Sequence, residues 1–360
     1  MMSNATDGDG ADSLDSLDSL NSLIMALPKA ELHVHLEGSI VPELALKLAA
    51  RRGVALPGAE RGVEGLREAY RFASFRDFLK VYIALSNTLQ QAEDFSDAVF
   101  GIAEGLAAQQ VRWVEMTFTP MTHVVQGVDP DAMLAGLADG RRRALEQLGI
   151  EFAWVFDVVR SLPEQGPQTL ELALRARDQG VVALGVGGPE GPQWSVVPLA
   201  GVFERAHAEG LKSVPHAGEQ HGPPSLRETL DLLAPARIGH GVRCLEDPEL
   251  TAELADRGIP LEVCPSSNVA LGVVPSFTAH PLPQLLAAGV ELSLASDDPP
   301  LFGTTLTEEY RRCVSAFGWG PEQVLKIAAA AVRHSFMPED RKRALLAAQR
   351  SVAQAHASLP

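Results

Sequence analysis

Cysteine is scarce in this chain: Cys244, Cys264 and Cys313 are the only three in 360 residues, widely spaced and without a Cys-x-x-Cys pair. An odd, scattered set excludes a disulfide scaffold and leads us to expect a reduced, cytoplasmic setting. Basic residues are also in short supply, 30 Lys and Arg against 46 Asp and Glu, for a formal net charge of -16. Such a surface repels phosphate backbones and anionic membranes, so a small molecule is expected as partner, and neither nucleic acid nor membrane. No uninterrupted apolar run reaches the roughly 18 residues that a membrane span needs. The first 23 residues contain no lysine or arginine and repeat Asp-Ser-Leu three times before Asn-Ser-Leu, so they lack the basic start and apolar core of a secretory signal. Residues 1–24 are expected to form a flexible acidic tail.

What the chain does contain is enough apolar residue, 46%, to fill one large core. We assign that core to residues 25–345 and expect 346–360 to be a C-terminal helix or tail. β-rich stretches at 32–36, 111–118, 152–159, 181–186, 211–215, 236–238, 259–263 and 290–294 alternate with amphipathic helical patterns such as 42–52, 92–109 and 131–148. Eight strands alternating with helices predict a (β/α)₈ TIM barrel. An open doubly wound sheet would want a glycine-rich phosphate loop after its first strand, and here that strand carries two histidines. Residues 61–89, with Tyr70, Phe72, Phe75, Phe78 and Tyr82, read as an extra helical pair inserted after the first strand-helix unit; a pocket lid is the second reading.

Side chains able to do chemistry fall at the ends of strands one, five, six and eight, the face where barrel sites are built. His33 and His35 alternate along the first strand, which turns both imidazoles to one face, as two ligands of one metal require. His216 and Glu219, three residues apart after the fifth strand, can set a metal ligand beside a proton donor, although such a pair alone is more often a capping pair. His240 could be a simple turn histidine between glycines. Asp297 and Asp298 could be a turn cap, but they follow a buried-looking strand, where a carboxylate needs a cation or a donor.

Five segments in this order, residues 28–39, 216–219, 237–241, 264–268 and 296–299, resemble the adenosine deaminase family of the amidohydrolase superfamily, over about Leu27 to His334. The resemblance implies one Zn²⁺ per chain held by His33, His35, His216 and Asp297, with a position left for a water that attacks C6 of a 6-aminopurine. It implies that Glu219 protonates N1, that His240 orients the attacking water and takes its proton, that Asp298 bonds N7, and that the Gly188 amide contacts N3. Ammonia leaves and a 6-oxopurine remains. Glu37 stands where adenosine-acting members have Asp contacting the ribose 5′-hydroxyl, and 119–123, ending in His123, looks like the Pro-x-x-His layout of branches acting on adenine or on 5′-modified nucleosides. Residues 299–306 resemble nucleoside-acting members. A nucleoside, adenosine or 6-amino-6-deoxyfutalosine, is therefore favoured over adenine. Ser267 and Asn268 are expected to brace a loop, with a pocket role possible for His123 and not expected for His280.

Two readings from other classes remain. A two-metal barrel hydrolase would want a bridging lysine at the end of strand four, and 180–188 contains none. A non-catalytic zinc-containing binding protein would more often use a closed, cysteine-rich site.

Overall fold

The computed structural model describes residues 9–72 and 74–358. Eight strands run in the order β1 to β8: Lys29–His35, Val111–Phe118, Glu151–Val159, Val181–Gly187, Lys212–Ala217, Ile238–His240, Leu261–Val263 and Leu292–Leu294. Every neighbouring pair is parallel. The ring closes where Val34 of β1 bridges Asp297 beyond β8, with His35 N–H donating to Asp297 O at 3.0 Å and Asp297 N–H to His33 O at 2.9 Å. The predicted barrel is present, and its closure runs through three of the expected ligands, His33, His35 and Asp297.

Parallel strands joined by helices are covered on both faces, which explains the near-continuous burial of β1, β2, β3 and β4. Phe118, Phe152, Trp154 and Phe156 are all at most 1% exposed. Each such side chain contributes about 2–3 kcal/mol of transfer free energy. β5 runs two residues beyond the apolar stretch that predicts it, because His216 and Ala217 pair with Gly239 and His240. His216 is thus a strand residue and not the first residue of a loop.

The expected flexible tail is corrected by the structure. Asp9–Ala26 is a helix, with Leu20, Leu23 and Ile24 buried in the main core and Ser19 Oγ 3.0 Å from His356 Nε2. Leucines three residues apart on a helix of 3.6 residues per turn are offset by about 60°, so only the end of the repeat, Leu20 and Leu23, joins Ile24 on the buried face, while Leu17 is 44% exposed. Residues 1–8 of that segment lie outside the described residues. At the other end, where a helix or tail was expected from residue 346, a helix already begins at Glu339 and runs to Ala357, and Gln349 Nε2 donates to Pro28 O at 3.0 Å, anchoring that helix beside the start of β1. The insertion is the predicted helical pair, Gly62–Ala69 and Phe75–Ser86. Its Phe78 stacks on Phe302, with centroids 5.5 Å apart. Among the described residues no helix is long and apolar enough to cross a membrane.

Candidate active site

His33 and His35 leave β1 on the same side, and His216 of β5 and Asp297 after β8 meet them across the barrel mouth. His35 Nε2 lies 3.2 Å from His216 Nε2 and 3.3 Å from Asp297 Oδ1, and His33 Nε2 lies 3.7 Å from the same oxygen. Four ligands bound at about 2.0–2.1 Å in a tetrahedron lie roughly 3.3 Å apart, so this spacing suits Zn²⁺. The tautomer of His33 points the same way. Its Nδ1 donates to Glu262 Oε2 at 2.9 Å, leaving a buried Nε2 lone pair with no partner among the described residues. Burial opposes ionisation of Glu262, but Arg237 and His33 outweigh it and hold the carboxyl below its usual range. Arg237 Nε is 2.6 Å from Glu262 Oε1, and its other arm reaches Glu115 of β2.

The four proposed ligands also perturb one another in the way a cation site does. Burial and three neighbouring imidazoles push the pKa of His216 well below the ordinary histidine value. Burial pulls His35 down as well, yet the carboxylates of Asp297 and Asp298 win and raise it to about 10. For Asp297 burial acts upward, but the bond from His35 and the charges of His240, His35 and His33 lower its pKa far below the carboxylate range. His35 and Asp297 thus stabilise each other's charged forms, as an imidazolium 3.3 Å from a carboxylate does.

His240 and Asp297 both adopt left-handed backbone, φ 61° and 63°, rare for side chains other than glycine and characteristic of functional sites. His240 Nε2 is 3.9 Å from Asp297 Oδ2. Asp298 packs so closely on the backbone of Gly38 that a Cβ there would lie 1.6 Å from its Oδ1. Only glycine fits at that position. Burial, then the neighbouring Asp297, pushes the Asp298 carboxyl well above its usual range.

Glu219 is 8% exposed, and burial raises its pKa to about 7, with His240 pulling the other way. Its backbone is held by Glu190, whose carboxylate accepts from the N–H groups of Gly218, Glu219 and Gln220 at 2.8 Å each, from His221 at 3.1 Å and from Ser225 Oγ at 2.5 Å. Removing that side chain leaves several buried donors unpaired. Glu190→Ala is expected to lower unfolding free energy by about 3 kcal/mol and to slow turnover through misplacement of Glu219. Urea titration checks the first effect, and a wild-type midpoint would contradict it.

Glu37 and His123 meet each other rather than standing as two separate contacts. His123 Nε2 is 3.1 Å from Glu37 Oε1, which also accepts from Thr119 N at 3.3 Å, and Tyr82 of the insertion donates to Oε2 at 3.1 Å. With three donors on its two oxygens and the side chain fully buried, Glu37 is held within the protein rather than turned toward a substrate hydroxyl. Gly188 follows β4 at φ 90°, close to Val159.

Several supporting residues escaped the sequence reading. Glu262 and Asp157 are acids within otherwise apolar strands, Leu261–Val263 and Glu151–Val159, and that mismatch was the available signal. Asp157 Oδ2 lies 3.9 Å from His216 Nδ1. Glu190 carried no local signal, because its partners are backbone groups some thirty residues away. Asn268, expected to brace a loop, instead bonds His240 and is itself bonded by His280.

The family model described as adenosine deaminase matches residues 28–351. An aminodeoxyfutalosine deaminase of Streptomyces coelicolor is 38% identical over 321 residues, covering 87% of this chain and 81% of that protein. An adenine deaminase of Rhodospirillum rubrum is 40% identical over 322 residues, 88% of this chain and 94% of that protein. The crystal structure of adenine deaminase from Arthrobacter aurescens superposes with a TM-score of 0.86 at 32% identity, covering 91% of this chain and all of that one. With the barrel and its His-Asp cluster already in place, the match over nearly the whole chain leaves one conclusion: this chain belongs to the adenosine deaminase family and is a hydrolase acting on C–N bonds.

Proposed function

We propose that this chain is a zinc-dependent deaminase of a 6-aminopurine nucleoside, adenosine or 6-amino-6-deoxyfutalosine. The observation that carries the reading is the cluster of His33, His35 and His216, with Asp297 Oδ1 3.3 Å from His35 and 3.7 Å from His33, and the protonatable carboxyl of Glu219 near His240. Zn²⁺ bound there supplies a nucleophile from water at neutral pH. The chain's own groups do the rest. Glu219, about half protonated near pH 7, gives a proton to N1, which lets C6 accept an oxygen without building charge on the ring. Asp298, kept neutral by burial and by Asp297, is a donor and therefore suits the acceptor N7, a contact that two acceptors could not make. Glu190 fixes the Glu219 backbone, and the amide of Gly188 faces N3.

A second reading, deamination of free adenine, is favoured by relatives called adenine deaminase at 40% identity. The engaged state of Glu37 also suits a substrate with no 5′-hydroxyl to bind. A modified nucleoside lacking that hydroxyl satisfies the same observation. Incubation of zinc-loaded protein with adenosine, 6-amino-6-deoxyfutalosine and adenine, followed by purine absorbance, separates them. We expect a nucleoside to react fastest. Adenine reacting fastest would establish the second reading, and no reaction with any of the three would leave only the family and fold.

A further inference from the structure

A line of hydrogen bonds runs behind His240, and it begins at a group whose direction is fixed. The backbone N–H of Leu282 donates to His280 Nδ1 at 3.1 Å. That nitrogen must therefore present a lone pair, which places the ring proton of neutral His280 on Nε2. Burial, followed by the charge of His240, lowers the His280 pKa to about 4, so the ring carries one proton at neutral pH. His280 Nε2–H then donates to Asn268 Oδ1 at 3.1 Å, and the other end of the amide, Asn268 Nδ2, donates to His240 Nδ1 at 3.3 Å. Turning the amide over would set N–H against N–H beside His280. Asn268, His280 and His240 are each at most 1% exposed, so water cannot readily replace a lost bond.

We infer that Asn268 and His280 are positioning residues that hold His240 with its proton on Nε2, facing the metal point, so that His240 donates a hydrogen bond to the attacking oxygen and does not act as the base. The inference rests on the deaminase reading of the site and sharpens one role within it. The rival partner for Nδ1 is Glu219 Oε1, at 3.7 Å, beyond hydrogen-bond reach. Of the two tasks that the family resemblance implies for His240, orienting the water survives and taking its proton does not.

Proton transfer then falls to Glu219. Its carboxyl gives a proton to N1 as the C6–O bond forms, and the resulting carboxylate takes one proton from the water. It hands that proton to the amino group; the C6–N bond breaks with its electron pair leaving on ammonia, and the hydroxyl proton returns to Glu219 as the carbonyl forms. One water proton leaves on ammonia and the other ends on Glu219, whose original proton stays on N1, so Glu219 finishes protonated.

Long-range ¹H–¹⁵N spectra of ¹⁵N-histidine-labelled, zinc-loaded protein read the tautomers directly. His280 and His240 are both expected in the Nε2–H form, and a proton found on Nδ1 of His240 would overturn the inference. Asn268→Asp offers His240 an acceptor in place of a donor, so the proton should move to Nδ1 and kcat fall on the order of 10²-fold or more, with zinc content unchanged. His280→Gln keeps a donor for Asn268 and should retain most of the rate, whereas His280→Leu should not. Equal rates for the two His280 variants, or a wild-type kcat in Asn268→Asp, would refute the positioning role. The tautomer is read without turnover, so a failure of every purine substrate would count against the deaminase reading and not be confused with a wrong tautomer.

Discussion

Glu219→Gln is expected to leave the barrel folded and still able to hold zinc while kcat falls by roughly 10²–10⁴-fold, the usual contribution of a positioned acid. Glutamine preserves the volume and the backbone contacts to Glu190, so the loss isolates the proton. The same residue predicts the alkaline side of the pH profile. Burial raises its pKa from 4.5 to about 7, and the acid form, the one that donates to N1, is present below that value. kcat/KM should therefore decline as pH rises through about 7, and the decline should vanish in the Gln variant. A carboxyl at its ordinary value would already be ionised throughout this range and would produce no such limb. A Gln variant that turns over at the wild-type rate would remove Glu219 from the mechanism.

Stripping the metal is the second large effect, with turnover expected to fall below detection and to return on adding Zn²⁺. His33, His35, His216 and Asp297 are the residues we propose as ligands, and each must offer a lone pair. His35 does not do so freely, since Asp297 and Asp298 overcome its burial and hold its proton up to about 10. Zinc and that proton compete for one place. Apparent zinc affinity should weaken by about tenfold for each unit the pH drops between about 8 and 6, one proton being displaced per ion bound. Competition with a chelator of known affinity measures the slope. A flat dependence would mean that no proton on His35 is displaced when the metal binds.

The donor atoms that we propose for the site were legible because each is announced by its own short stretch of chain. Alternation places His33 and His35 on one face of a strand, and the apolar stretch before Asp297 places two carboxylates at a strand's end. Nothing local announces what holds them. The acceptor for His33 Nδ1 is Glu262, 229 residues along the chain, and the clamp on Glu219 is Glu190, outside its own loop. The N-terminal repeat misled for a related reason: its Asp and Ser residues read as a solvated tail, whereas burial of Leu20, Leu23 and Ile24 requires a surface that other helices provide.

From sequence alone came the barrel, the family resemblance and the residues we propose to carry the chemistry, since periodicity and short motifs are properties of neighbours in the chain. Which proton sits on which nitrogen was decided only by the folded structure. A histidine's tautomer follows from what its other nitrogen touches, and a carboxyl's pKa follows from its burial and neighbouring charges. Both depend on contacts between strands far apart in sequence. Glu37 illustrates the difference: its place in the motif suggested a ribose contact that its longer side chain put in doubt, and in three dimensions it is already engaged by His123, Thr119 and Tyr82.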